Sequence, residues 1–134
     1  MTIDIEQEIL DDLMRALETL ESSTDLEGTA VVSKTGLRIA SSETANVFAD
    51  IYSASPATLI SLGQKISQGL NQGELQEIVI RGTKGYTIIM VGGSDNNYML
   101  FTSCKKAYKL GYYTHKIRKA FRIMEPLLKQ IPTE

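Results

Sequence analysis

Leu75-Gln76-Glu77-Ile78-Val79-Ile80-Arg81, Tyr86-Thr87-Ile88-Ile89-Met90-Val91 and Tyr98-Met99-Leu100-Phe101-Thr102-Ser103 follow one another in close succession. Each run is rich in Ile, Val or aromatic residues, whose branched or flat side chains pack well on a pleated surface. Between the runs lie Gly82-Thr83-Lys84-Gly85 and Gly92-Gly93-Ser94-Asp95-Asn96-Asn97, residue types that read as turns. The stretch therefore predicts three strands in a meander. Thr87 to Val91 is apolar at successive positions, which predicts a strand covered by helices on both sides.

Outward from this meander, the pattern changes to helical spacing. On its C-terminal side, Leu110, Tyr113, Ile117, Phe121, Met124 and Leu128 mark one stripe of a helix from about Tyr108 to Gln130. Pro126 is expected to kink or shorten it. On its N-terminal side, Phe48, Tyr52, Ser55, Leu59, Leu62, Ile66 and Leu70 lie along one face of a helix from about Val47 to Leu70. Small residues Ala49, Ser53, Ala57 and Gly63 lie elsewhere on that helix. Pro56 removes a backbone bond to the Tyr52 carbonyl, so this helix either kinks or restarts with Ser55 as cap and Pro56 in the first turn; the kink is the favoured reading.

Further out, Thr29-Ala30-Val31-Val32 and Leu37-Arg38-Ile39-Ala40 read as a hairpin closed by Lys34-Thr35-Gly36. The chain opens with Ile5, Ile9, Leu13, Leu17 and Leu20 at helical spacing, Leu10 and Met14 beside them, and acidic Glu6, Glu8, Asp11, Asp12 and Glu18 on the other face. Asp4 and Gln7 have the spacing of a capping box. The helix is expected to fade at Ser22-Ser23-Thr24. The order is helix, two strands, helix, three strands, helix. This predicts an α+β fold in one domain spanning 1–134, with a five-stranded antiparallel sheet between helices.

The bulk properties bound the function. At 134 residues, 43% hydrophobic and 22% charged, the chain suits one soluble domain. A net charge of -2 gives no global attraction to nucleic acid or acidic membranes. No apolar run approaches the ~20 residues of a membrane span, and Met1-Thr2-Ile3-Asp4 lacks the basic and apolar pattern of a signal peptide. The single cysteine, Cys104, cannot form an internal disulfide, so a reducing cytoplasm is the expected location. Charge is uneven: Met1–Glu27 carries nine acidic residues and one basic, whereas Lys105–Glu134 carries eight basic and two acidic. Side by side, the terminal helices would complement each other.

No catalytic or metal-binding constellation can be assembled from these spacings. His115 is the only histidine, and with Cys104 alone it makes a poor ligand set. Cys104 precedes Lys105-Lys106, which could lower a thiol pKa, but no base is arranged beside it. The glycine-rich segments match neither a P-loop nor a dinucleotide fingerprint, and both join strand to strand, so no helix N-terminus would face a phosphate. Asp11 and Asp12 are adjacent and diverge around the helix. The residues favour a non-enzyme without cofactor or metal. The rival signal is the basic C-terminal helix, where Lys105, Lys106, Lys109, Lys116, Arg118, Lys119 and Arg122 interleave with Tyr108, Tyr112 and Tyr113, a pattern that can bind a polyanion.

Several phrases are similar to the roadblock family, named for a dynein light chain and akin in architecture to longin and profilin-like folds. They are Gly28-Thr29-Ala30-Val31-Val32-Ser33, Gly36-Leu37-Arg38-Ile39-Ala40-Ser41-Ser42, Leu59-Ile60-Ser61-Leu62-Gly63, and Leu110-Gly111 before Ile117-Arg118-Lys119-Ala120. The resemblance covers nearly the whole chain and rests mainly on the order of its elements, like that of short stand-alone bacterial and archaeal members. It implies a homodimer in which the middle helices, here about Ile51 to Ile66, pack together and the following strand, here Leu75 to Arg81, pairs across the dimer. It further implies a scaffold or regulator of a small Ras-like GTPase, or an adaptor in a larger assembly, with no nucleic acid and no membrane insertion expected. The interface residues it points to are Ile51, Tyr52, Ser55, Leu59, Ile60, Gly63, Ile78 and Ile80.

Overall fold

Four buried side chains, Ile9, Leu13, Leu17 and Leu20, recur at helical spacing along α1 (Gln7–Ser22) and seat it on the sheet. The computed structural model describes residues 5–42 and 54–132. After α1 come β1 (Glu27–Ser33) and β2 (Arg38–Ser41), α2 (Ala54–Gly69), β3 (Glu77–Arg81), β4 (Tyr86–Gly92), β5 (Tyr98–Cys104) and α3 (Leu110–Leu128). The strands form one antiparallel sheet in the order β2-β1-β5-β4-β3. This is the α-β-β-α-β-β-β-α order expected from the sequence.

The pleat sends alternate side chains to opposite faces, and the two faces are covered differently. On one face, Val31, Ile88, Met90 and Leu100 pack beneath α1 and α3, together with Leu13, Leu17, Tyr113, Ile117, Phe121 and Met124. On the other, Ala30, Val32, Ile89, Met99 and Phe101 meet Ala57, Leu59 and Ile60 of α2 and Ile78 of β3. The both-face burial expected of Thr87–Val91 is present: Ile88 and Met90 belong to the first cluster and Ile89 to the second. The central strand β5 is buried at six of its seven positions.

Turn chemistry sets the connections. Gly36 takes φ 95°, which closes the β1–β2 hairpin. Between β4 and β5, Gly93, Asp95 and Asn96 all have positive φ, a conformation that Gly adopts freely and Asn and Asp tolerate better than other residues.

Two local expectations are corrected, and two others involve residues outside the described ones. The helix cap falls at Glu6 without a side-chain cap bond, and the Gln7 amide donates to the Asp11 carboxylate at 2.8 Å; Asp4, the other half of the expected capping box, lies outside the described residues. Pro56 falls within α2 near the start of its described part, and the Tyr52 carbonyl, on which the choice between a kink and a first-turn placement turns, lies outside the described residues. Pro126 does not stop α3, which runs to Leu128. The strand expected to begin at Leu75 begins at Glu77. The acidic α1 and basic α3 are neighbours, as their charges suggested. Among the described residues, however, the ion pairs are Arg15–Asp12 within α1 and Arg118–Glu77 between α3 and β3, and none joins α1 to α3.

Candidate protein-binding face

Helix α2 carries apolar residues on more than one side. Leu59 and Ile60 are half-buried against the sheet. Leu62, Ile66 and Leu70 repeat every four residues, from the middle of α2 to just past its end, and are 54%, 62% and 64% exposed. Leu59 lies on the same face nearer the start of the helix, where the sheet half-covers it, while Leu62, Ile66 and Leu70 further along face solvent. Lys65 is the single charged residue of Ala54–Gly69, so covering the stripe would desolvate little charge. At ~25 cal/mol per Å² of apolar surface, covering each of these side chains would contribute about 1 kcal/mol or more.

The chain between α2 and β3 is tied down locally. Gln64 Oε1 accepts the Leu75 N–H at 2.7 Å, and the Ser67 hydroxyl donates to the Gly73 carbonyl at 2.7 Å. Gly63 faces Leu75 and Ile78: a Cβ there would sit 3.0 Å from a Leu75 methyl and 3.1 Å from a methyl of Ile78. The bare glycine thus allows α2 to close on the start of β3.

Strand β3 is an edge. It pairs with β4 from Glu77↔Met90 to Arg81↔Tyr86, and no strand of the described residues lies on its outer side. Outward backbone N–H and C=O groups are therefore free to pair with another strand. Ile80 is 45% exposed and shares the α2 face of the strand with Ile78. Val79, on the other face, is 37% exposed.

Of the residues singled out from the sequence, Leu59, Ile60, Gly63, Ile78 and Ile80 are brought together at the α2–β3 junction. Leu59, Ile60 and Ile78 turn largely toward their own sheet, and Gly63 toward Leu75 and Ile78. Ser55 lies near the start of the described part of α2. Ile51 and Tyr52 lie outside the described residues. The residues that face solvent on α2, Leu62, Ile66 and Leu70, were legible as part of a helical stripe, but nothing in the sequence said how much of that stripe the sheet would cover.

The other side chains singled out are distributed as follows. His115 is exposed on α3, and Cys104 is buried at the end of β5. No cluster of three or more His, Cys, Asp or Glu able to hold a metal occurs among the described residues. No described helix is long and apolar enough to cross a membrane. Tyr113 is fully buried, and its hydroxyl oxygen accepts the Tyr108 N–H at 3.0 Å. Burial first, and then the neighbouring Asp25 carboxyl, hold its phenol well above the ordinary tyrosine value of 10.0. Its ring is edge-on to those of Tyr86, Tyr108 and Tyr112, so the group is an aromatic corner of the core.

A helix-flanked five-stranded antiparallel sheet, with an exposed apolar helix stripe beside an open strand edge, defines an α+β module with a candidate interaction face. The model of the Roadblock/LC7 domain matches residues 13–101, and the chain belongs to that family. Among solved structures, Myxococcus xanthus MglB superposes with a TM-score of 0.82 at 15% identity, over 99% of this chain and 98% of that one. The gliding protein MglB from Thermus thermophilus gives 0.77 at 12% identity, over 96% and 97%. A Roadblock/LC7 domain from Streptomyces avermitilis gives 0.72 at 14% identity, over 95% and 100%. At these identities the likeness is one of fold. No curated protein matches the chain by sequence.

Proposed function

We propose that this chain is a homodimeric, non-catalytic scaffold that binds and regulates a small Ras-like GTPase. The observation that carries the reading is the stripe Leu62, Ile66 and Leu70 standing open beside the unpaired edge of β3. A second copy related by a two-fold axis would offer the same stripe and the same edge. Helix would meet helix, and antiparallel β3 strands would join two five-stranded sheets into one. The GTPase follows from membership in the Roadblock/LC7 family, whose members scaffold or regulate such proteins. The chain would act by holding the GTPase in a conformation, since its residues suggest no nucleophile, base and orienting group in one place.

The test is solution mass by light scattering, for the chain alone and with a Ras-like GTPase from the same organism loaded with GDP or a GTP analogue. A dimer that gains mass with the GTPase supports the reading, and dependence on the nucleotide identifies regulation. A monomer that ignores the GTPase in both states overturns it. A dimer that captures other proteins regardless of nucleotide would instead mark an adaptor subunit, which would use the same face.

A further inference from the structure

On the side of the sheet opposite α2, helices α1 and α3 lie next to each other. Between them lies a groove of about 730 Å³. Ala16 of α1 and Ala120 of α3 both line it, and their single methyl groups leave room that longer side chains would fill. Leu20, Ile123, Pro126 and Leu127 make the rest of its apolar lining. Ile123 is 63% exposed there, on a helix whose other Ile is fully buried.

The rim is cationic. Arg15, Lys116 and Lys119 line the mouth against one carboxylate, Asp12. Asp12 is already engaged by Arg15 at 2.8 Å. Neither Lys116 nor Lys119 has an ion-pair partner among the described residues. The Lys116 ammonium rests 5.7 Å from the centroid of the Tyr112 ring, which holds it near the groove. An apolar trough between two helices, edged by positive charge without an ion-pair partner, suits one kind of occupant.

We propose that the α1–α3 groove docks an acidic amphipathic helix of a partner protein. Apolar side chains of that helix would cover Ile123 and Leu127, and its carboxylates would meet Lys116 and Lys119. A trough of this size admits a few large side chains. A nucleic-acid backbone would use the lysines and leave the apolar lining wet. A second copy of this chain is a poor occupant: its acidic α1 has its apolar face committed to its own core, and Met14, at 36% exposed, is the large apolar side chain of α1 left outside. The proposal is independent of the α2–β3 reading, because the two surfaces lie on opposite faces of the sheet.

The test uses the full chain and two fluorescein-labelled helical peptides, each with Leu along one face. One carries Glu at the remaining positions and the other carries Lys there. Fluorescence anisotropy is expected to give binding of the Glu peptide and at least about tenfold weaker binding of the Lys peptide. Ile123→Glu, and Lys116→Glu with Lys119→Glu, should each weaken the Glu peptide about tenfold or more, whereas Lys84→Glu in the exposed β3–β4 turn should leave it unchanged. The substituted side chains carry no core packing, and circular dichroism checks that each variant is folded. Equal binding of the two peptides, or insensitivity to Ile123→Glu, overturns the proposal. So does binding of single-stranded DNA or phosphatidylserine vesicles in place of the peptide, or a fall in solution mass on Ile123→Glu, which would make a second copy the occupant.

Discussion

Gly85 and Gly63 are both close-packed, yet substitution should affect them differently. A Cβ on Gly85 would collide with the backbone carbonyl oxygen of Cys104, which the β4–β5 ladder holds in place. Gly85→Ala is expected to cost about 1–3 kcal/mol, read as a lower urea midpoint. At Gly63 the added methyl meets only the ends of the Leu75 and Ile78 side chains, which can turn aside. Helix propensity gains up to ~1 kcal/mol from Gly to Ala and offsets most of that strain, so Gly63→Ala should lie close to the parent. Equal losses in the two variants would refute this ranking. Tyr113 supplies a pH prediction. Its folded pKa lies above the unfolded 10.0, so its share of stability is complete below pH 10.0 and is lost as pH rises beyond it. Alkaline unfolding followed by circular dichroism should therefore lose a component in Tyr113→Phe; an unchanged alkaline limb would count against it.

At the scale of elements, α2 differs from its two companions. The apolar stripes of α1 and α3 predicted their buried residues, because a single amphipathic face leaves one way to sit on a sheet. Leu59, Leu62, Ile66 and Leu70 share one face and Ile60 another on a helix with one charge, so its periodicity named a helix without saying how much of that face the sheet would cover. Periodicity also left Pro56 open, since it did not fix where the helix begins, and a proline fits a first turn but kinks an interior. Ile66→Glu puts a charge on the exposed stripe without touching the core. It should preserve the circular dichroism spectrum and reduce the solution mass to that of a monomer. A folded variant of unchanged mass would remove α2 from the self-association surface.

For the whole molecule, charge plays a smaller part than the sequence suggested. The acidic N-terminal and basic C-terminal segments do end side by side, but no ion pair links α1 to α3 among the described residues. Raising NaCl from dilute buffer to about 1 M should change the unfolding free energy by less than about 1 kcal/mol, as expected for exposed charges. A large salt-dependent loss would reveal a stronger electrostatic contact between the helices. The strand runs, the turns and two of the three helix faces were determined by the sequence alone, since each follows from local periodicity and from residues that accept only certain backbone angles. Which strand became the open edge, how much of α2 the sheet covered, and the groove between Ala16 and Ala120 were decided only by the tertiary structure. Those features depend on residues far apart in the chain meeting across a sheet or between helices, and the spacing along one segment does not encode them.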